Sequence, residues 1–141
     1  MTVTVMERVT VFDDAAREFL KKPLIARIST LTTDGYPHTV PVWFMLEGDE
    51  IVFIAERSTR KIKNVLANPK GSMSVGGDVG DPAAYLIIGE MRVEEDPGFA
   101  WMKRMTRFYE APEQAEKDIE AWSKTDMVII RLKPTRVIKA A

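Results

Sequence analysis

The 141-residue chain contains no cysteine. That excludes disulfides, a thiolate nucleophile and any cysteine-based metal site, and it suits a reducing compartment, so a cytoplasmic location is expected. Histidine occurs once, at His38. No cluster of two or three imidazoles can therefore hold a metal, and the carboxylates lack the spacing of a metal loop. An excess of one charge is missing too. With 20 basic and 21 acidic residues the formal net charge is −1, without the basic surplus that releases counterions from nucleic acid. No run approaches 18 apolar residues, and residues 1–14 mix acids and bases without an apolar signal core, so neither membrane insertion nor secretion is expected. The stretch Gly76-Gly77-Asp78-Val79-Gly80 has neither the Gly-Lys-Ser/Thr ending of a phosphate loop nor a dinucleotide fingerprint, and reads as a flexible loop. No serine sits in a nucleophile elbow, which argues against a hydrolytic triad. Internal repeats and low-complexity tracts are also lacking.

What is present is the composition of one globular domain spanning residues 1–141, with 45% hydrophobic and 29% charged residues. Asp13 and Asp14 cap a short helix whose Ala15, Ala16, Phe19 and Leu20 form an apolar stripe stopped by Pro23. Residues 24–31 alternate as a strand and run into Thr33-Asp34-Gly35-Tyr36, a hairpin signal. The return strand, 38–46, is apolar on both faces from Val40 to Met45, so each must meet protein or ligand. A third strand covers 51–55. A helix over 60–67 carries Ile62, Val65 and Leu66 inward, with Ser58 or Thr59 as its cap. Strands at 70–75 and 84–94 follow. Asp96-Pro97 opens a helix with a stripe of Phe99, Met102, Met105 and Tyr109, and a further helical segment covers 113–122. Residues 127–132 and 136–140 read as a sixth strand bent at Lys133-Pro134. The pattern is α+β: a six-stranded antiparallel barrel-like sheet with flanking helices.

Two segments could carry chemistry. Glu56-Arg57-Ser58-Thr59-Arg60-Lys61-Ile62-Lys63-Asn64 places two hydroxyls and four cations where a strand gives way to a helix. Free backbone N–H groups and the helix dipole attract phosphate there, and Ser58, Thr59, Arg60 and Lys61 can add hydrogen bonds and charge. The same residues also read as a solvated helix face with an ordinary cap. The second segment is Pro37-His38-Thr39-Val40-Pro41-Val42-Trp43-Phe44. Pro41 cannot donate to a sheet ladder, so this strand is an edge, a bulge, or a backbone turned toward a planar ligand. His38 reads as a strand-end residue rather than a catalytic one.

In order and spacing, Thr33 to His38, Pro41-Val42-Trp43-Phe44, Ser58-Thr59-Arg60-Lys61 with Asn64 and Asn68-Pro69, and Gly89-Glu90 resemble the pyridoxamine 5′-phosphate oxidase-like split-barrel flavoproteins, including their deazaflavin-dependent branch. The resemblance covers about residues 13–139. It implies a split β-barrel that binds FMN or coenzyme F420 and passes a hydride to or from a small organic substrate. The strand matching Thr39, Val40, Pro41, Val42 and Trp43 would line the ring and ribityl chain, and the segment from Ile54 and Ala55 to Lys61 would hold the phosphate. Arg60 and Lys61 are then the principal phosphate ligands, with Ser58, Thr59 and Asn64 beside them. The resemblance also implies a homodimer with the site at its interface, the second subunit contributing residues from 101–109 or Trp122. The chain lacks the basic residue at the Thr39-Val40 position and the C-terminal arginine and histidine signature of the B6 oxidases, so vitamin B6 oxidation is not expected. The same pocket would equally serve a non-catalytic binder of a flavin, deazaflavin or haem-type ligand.

Overall fold

A computed structural model describes residues 11–140. The reading of residues 1–10 as lacking a signal segment lies outside them.

Helix α1 (Asp14–Leu20) starts where the Asp13 carboxylate accepts the Ala16 N–H at 2.8 Å, and it turns Ala16, Phe19 and Leu20 inward. Strand β1 (Ala26–Leu31) alternates as its sequence demands, burying Ala26, Ile28 and Thr30. Gly35, at φ +89°, takes the left-handed conformation that the hairpin needs. The chain returns as β2 (Pro37–Val42), which lies at the sheet edge, so the missing donor of Pro41 is tolerated there.

The single strand expected over 38–46 is two strands. The chain leaves the sheet at Trp43-Phe44 and re-enters as β3 (Met45–Glu47), paired with β4 (Glu50–Glu56). Seven strands result, not six. After helix α2 (Arg60–Ala67) come β5 (Lys70–Gly76), β6 (Ala84–Glu94), helices α3 (Ala100–Tyr109) and α4 (Pro112–Trp122), and β7 (Met127–Lys139). Their order is β2-β1-β5-β6-β7-β4-β3, with every neighbouring pair antiparallel.

That order forces the sheet to roll. β2 and β3 occupy opposite edges, yet only three peptide units of about 3.8 Å link Val42 to Met45. The two edges must therefore nearly meet, which is the split barrel. Ile28, Phe53, Met73, Ile87, Ile130 and Leu132 fill its interior, joined by Phe19 of α1 and Ile62 of α2. A second, smaller cluster of Val52, Ile129 and Met105 packs α3 against the other face of β4 and β7. β4 is consequently buried on both sides through Ile51, Val52 and Phe53.

Two local expectations are corrected. In α2 the inward residues are Ile62, Asn64 and Val65, whereas Leu66 is 70% exposed. Asn64 can be buried because its amide donates to the Thr30 hydroxyl at 3.1 Å. The helix expected from Pro97 is a short 3₁₀ turn, Pro97–Phe99, ending in a kink with Gly98 and Phe99 at φ +66° and +56°. Asp96 caps α3 across that kink, accepting from the N–H groups of Trp101 (2.9 Å) and Met102 (3.0 Å). The bent strand expected at the end of the chain is β7, continuous through Pro134. The bend near Pro134 is a bulge in which Thr135 is the extra residue between the Gly89–Pro134 and Ile88–Arg136 pairs. Pairing with β4 ends at Leu132, so Pro134 deprives no β4 carbonyl of a donor.

Candidate functional site

A cleft of about 560 Å³ opens where the two sheet edges approach, within the roughly 300–1,000 Å³ usual for small-molecule sites. One wall is Pro41, Val42 and Trp43, where the chain leaves β2, and the floor is Ile54, Ala55 and Glu56 at the end of β4. Lys61 of α2 reaches in from one side. Trp122, Thr125 and Met127, at the passage from α4 to β7, close the other, with Ile25 beside them.

The Trp43 wall is held from behind. Its indole stacks on Tyr109 at 4.9 Å between ring centroids and 9° between planes, and meets Trp122 at 6.0 Å and 60°. Leaving the sheet deprives Phe44 of ladder partners, and the Tyr109 hydroxyl supplies them. It accepts the Phe44 N–H at 3.1 Å and lies 2.8 Å from the Leu24 carbonyl and 2.9 Å from that of Phe44, its single proton serving one of the two. Burial pushes the Tyr109 phenol up to about 12.

Lys61 is the one cation of the lining. Burial lowers its pKa from the ordinary lysine value, and no carboxylate pairs with it among the described residues. A half-desolvated ammonium without a partner favours an anionic ligand. Glu56, the one acid of the lining, accepts from the Ser58 N–H at 3.1 Å and from the Ser58 hydroxyl.

Of the residues expected to form the site, Pro41, Val42, Trp43, Ile54, Ala55 and Lys61 converge on this cleft. Six others lie off its lining. Thr39 points out from β2 to share a 2.8 Å hydrogen bond with Ser29, while Val40 faces the barrel core. Thr59 stands at the start of α2, but its hydroxyl donates to the Glu56 carbonyl at 2.7 Å, and the Ser58 hydroxyl is likewise spent on Glu56. Neither has a proton left for phosphate in this arrangement. Arg60 is exposed, and Asn64 is buried on Thr30. Arg57, counted among the four cations, is tied to Asp126 (2.7 Å) and Glu95 (2.6 Å).

Ile25, Thr125 and Met127 escaped sequence reasoning, Glu56 entered it only as the first residue of the anion segment, and Trp122, assigned there to a second subunit, lines the cleft of its own chain. They come from the ends of separate elements and share no local motif. Among the described residues, no three His, Cys, Asp or Glu side chains converge as metal ligands, and no helix is long and apolar enough to cross a membrane.

Comparison with known proteins agrees with this architecture. A solved F420 reductase superposes with a TM-score of 0.74 at 24% identity, over 90% of this chain and 98% of that one. A conserved hypothetical protein from Mycobacterium tuberculosis gives 0.70 at 19%, over 94% and 87%. General stress protein 26 from Bacillus anthracis gives 0.63 at 16%, over 86% and 88%. These likenesses establish the fold. No curated protein matches the chain. The family model described as pyridoxamine 5′-phosphate oxidase matches residues 12–140, and the chain accordingly belongs to the pyridoxamine 5′-phosphate oxidase-like family.

Proposed function

We propose that the cleft binds FMN or coenzyme F420 and that the protein is an oxidoreductase exchanging a hydride with a small organic substrate. The observation that carries this reading is the pairing of a largely apolar cleft, lined by Trp43, Ile54 and Trp122, with the ammonium of Lys61, which has no ion partner among the described residues. Both cofactors present a tricyclic ring and a phosphate, and that is the donor set this cleft would satisfy. The bound ring supplies the hydride chemistry. The chain's own contribution is positioning. The Pro41-Val42-Trp43 backbone, at a sheet edge and free of ladder partners on its outer side, can read the polar rim of a ring. Trp43, Trp122 and Met127 keep water from its face, and Lys61 anchors the phosphate. Of the segment expected to hold phosphate, Lys61 is the ligand in this proposal, and Arg60 stands outside the lining. The fold family and the F420 reductase likeness support the reading. The protein works as a cytoplasmic homodimer in this proposal, the second subunit covering the open side of the cleft.

A second reading, a carrier that holds a flavin, deazaflavin or haem-type ligand without turnover, is favoured by one observation. Besides Glu56 and Lys61 the lining offers only the Thr125 hydroxyl as a polar side chain for proton transfer, apart from the Trp43 and Trp122 indoles. Fluorescence titration of the purified protein with FMN and, separately, with coenzyme F420 tests the binding claim. Saturable binding of at least one is expected, and binding of neither would overturn it. Turnover of the reduced cofactor with an added electron acceptor separates enzyme from carrier.

A further inference from the structure

The charges lining the cleft balance. Lys61 is its one cation and Glu56 its one anion, while Arg57 of the same segment is neutralised by Glu95 and Asp126. The Glu56 carboxylate is fixed in place by the backbone N–H and hydroxyl of Ser58. Both groups hold Oε2, and among the described residues Oε1 takes no hydrogen bond.

A phosphate monoester carries about −1.5 to −2 charges at neutral pH. A diester has one ionisable oxygen and stays singly charged. Lys61 alone matches a single charge, and a second negative charge brought into the cleft meets Glu56 in the same lining, with no further lining cation to offset it. In a partly desolvated site such like-charge contact is costly. F420 continues past its diester into carboxylates, and the exposed Arg60 and Lys63 of α2, which have no ion partner among the described residues, offer positive charge outside the lining.

We infer that Glu56 is a specificity-determining residue, selecting a cofactor whose phosphate is a diester, as in F420, over one that ends in a monoester, as in FMN. The inference rests on the reading of the cleft as a cofactor site.

The test is a pair of titrations, FMN and coenzyme F420, on the wild type and on Glu56→Gln. Glutamine keeps an acceptor oxygen for Ser58, and a thermal melt confirms that the turn survives. F420 is expected to bind the wild type at least about tenfold tighter than FMN. Glu56→Gln is expected to tighten FMN by about three- to tenfold, the size of one unit charge several ångströms away in a partly hydrated cleft, and to change F420 by less. Equal or tighter binding of FMN to the wild type, or a preference that Glu56→Gln leaves unmoved, overturns the role of Glu56 while the cofactor site stands. Binding of neither cofactor overturns the site itself, and the selectivity with it.

Discussion

Trp43 and Tyr109 lie parallel, 4.9 Å between ring centroids, at the point where the chain crosses from one edge of the sheet to the other. One ring forms the wall of the cleft, and the other carries the hydroxyl that satisfies the Phe44 backbone behind it. The aromatic pair therefore joins the closure of the barrel to the shape of the site.

Tyr109→Phe keeps the stack and removes the hydroxyl. The buried Phe44 N–H is left unpaired, and a loss of about 1–3 kcal/mol is expected, read as a lower urea midpoint. In the wild type the phenol is raised from 10.0 to about 12. The stability it contributes is complete below pH 10 and disappears as pH rises through about 12. A late phase in the 295 nm absorbance titration is expected in the wild type and absent from Tyr109→Phe.

Lys61→Ala should weaken binding of either cofactor by about ten- to a hundredfold, since a charge-assisted contact is worth about 1.5–3 kcal/mol. Arg60→Ala should do far less, because Arg60 stands outside the lining. Burial lowers the Lys61 pKa below the ordinary 10.5. Wild-type affinity should therefore fall on the alkaline side before 10.5 is reached, while Lys61→Ala shows no such fall. Isothermal titration across pH measures both.

Asn64→Ala breaks the buried hydrogen bond to Thr30, two residues that are 2% and 1% exposed. A stability loss of about 1–3 kcal/mol is expected, with the cofactor dissociation constant of the folded variant unchanged. A selective loss of binding instead would return Asn64 to the ligand set.

Gly89→Ala should be severely destabilising. A Cβ at Gly89 would lie 2.1 Å from the Lys133 carbonyl oxygen, and backbone in the middle of the bulge cannot move aside as a side chain could. The cost should exceed about 3 kcal/mol, the upper range of ordinary overpacking, visible as loss of the cooperative melt.

Acid should weaken the ladder β3-β4-β7-β6 before it reaches the core. Hydrogen bonds from Arg92 hold Glu50 and Glu94 below the ordinary 4.5, with Arg131 adding to the effect. Stability from these groups is present above 4.5 and drains away as pH falls through their lowered values. Arg92→Ala should lose less melting temperature than the wild type between pH 6 and pH 3, in scans at low salt.

The elements themselves were legible in sequence because their signals are local. Asp13 marks the start of α1, Asp-Gly the hairpin, Thr59 and Asn68 the ends of α2, and alternation the strands 26–31 and 84–94. The half of the cleft lining that lies on two such segments, Pro41 to Trp43 and Ile54 to Lys61, stood out for the same reason.

Tertiary structure decided the rest. Residues 40–46 are uniformly apolar whether they belong to one strand or two, and only Tyr109, 65 residues from Phe44 in the chain, makes the break at Phe44 affordable. Whether Arg57, Ser58 and Thr59 are free for phosphate depended on where Glu95, Asp126 and the Glu56 carboxylate came to lie. A hydrogen bond or ion pair commits a group to a partner, and partners brought together by the closing of a sheet leave no trace in local spacing. Residue type and order along the chain determined which elements form. The meeting of the sheet's two edges determined which of their side chains remain available to a ligand.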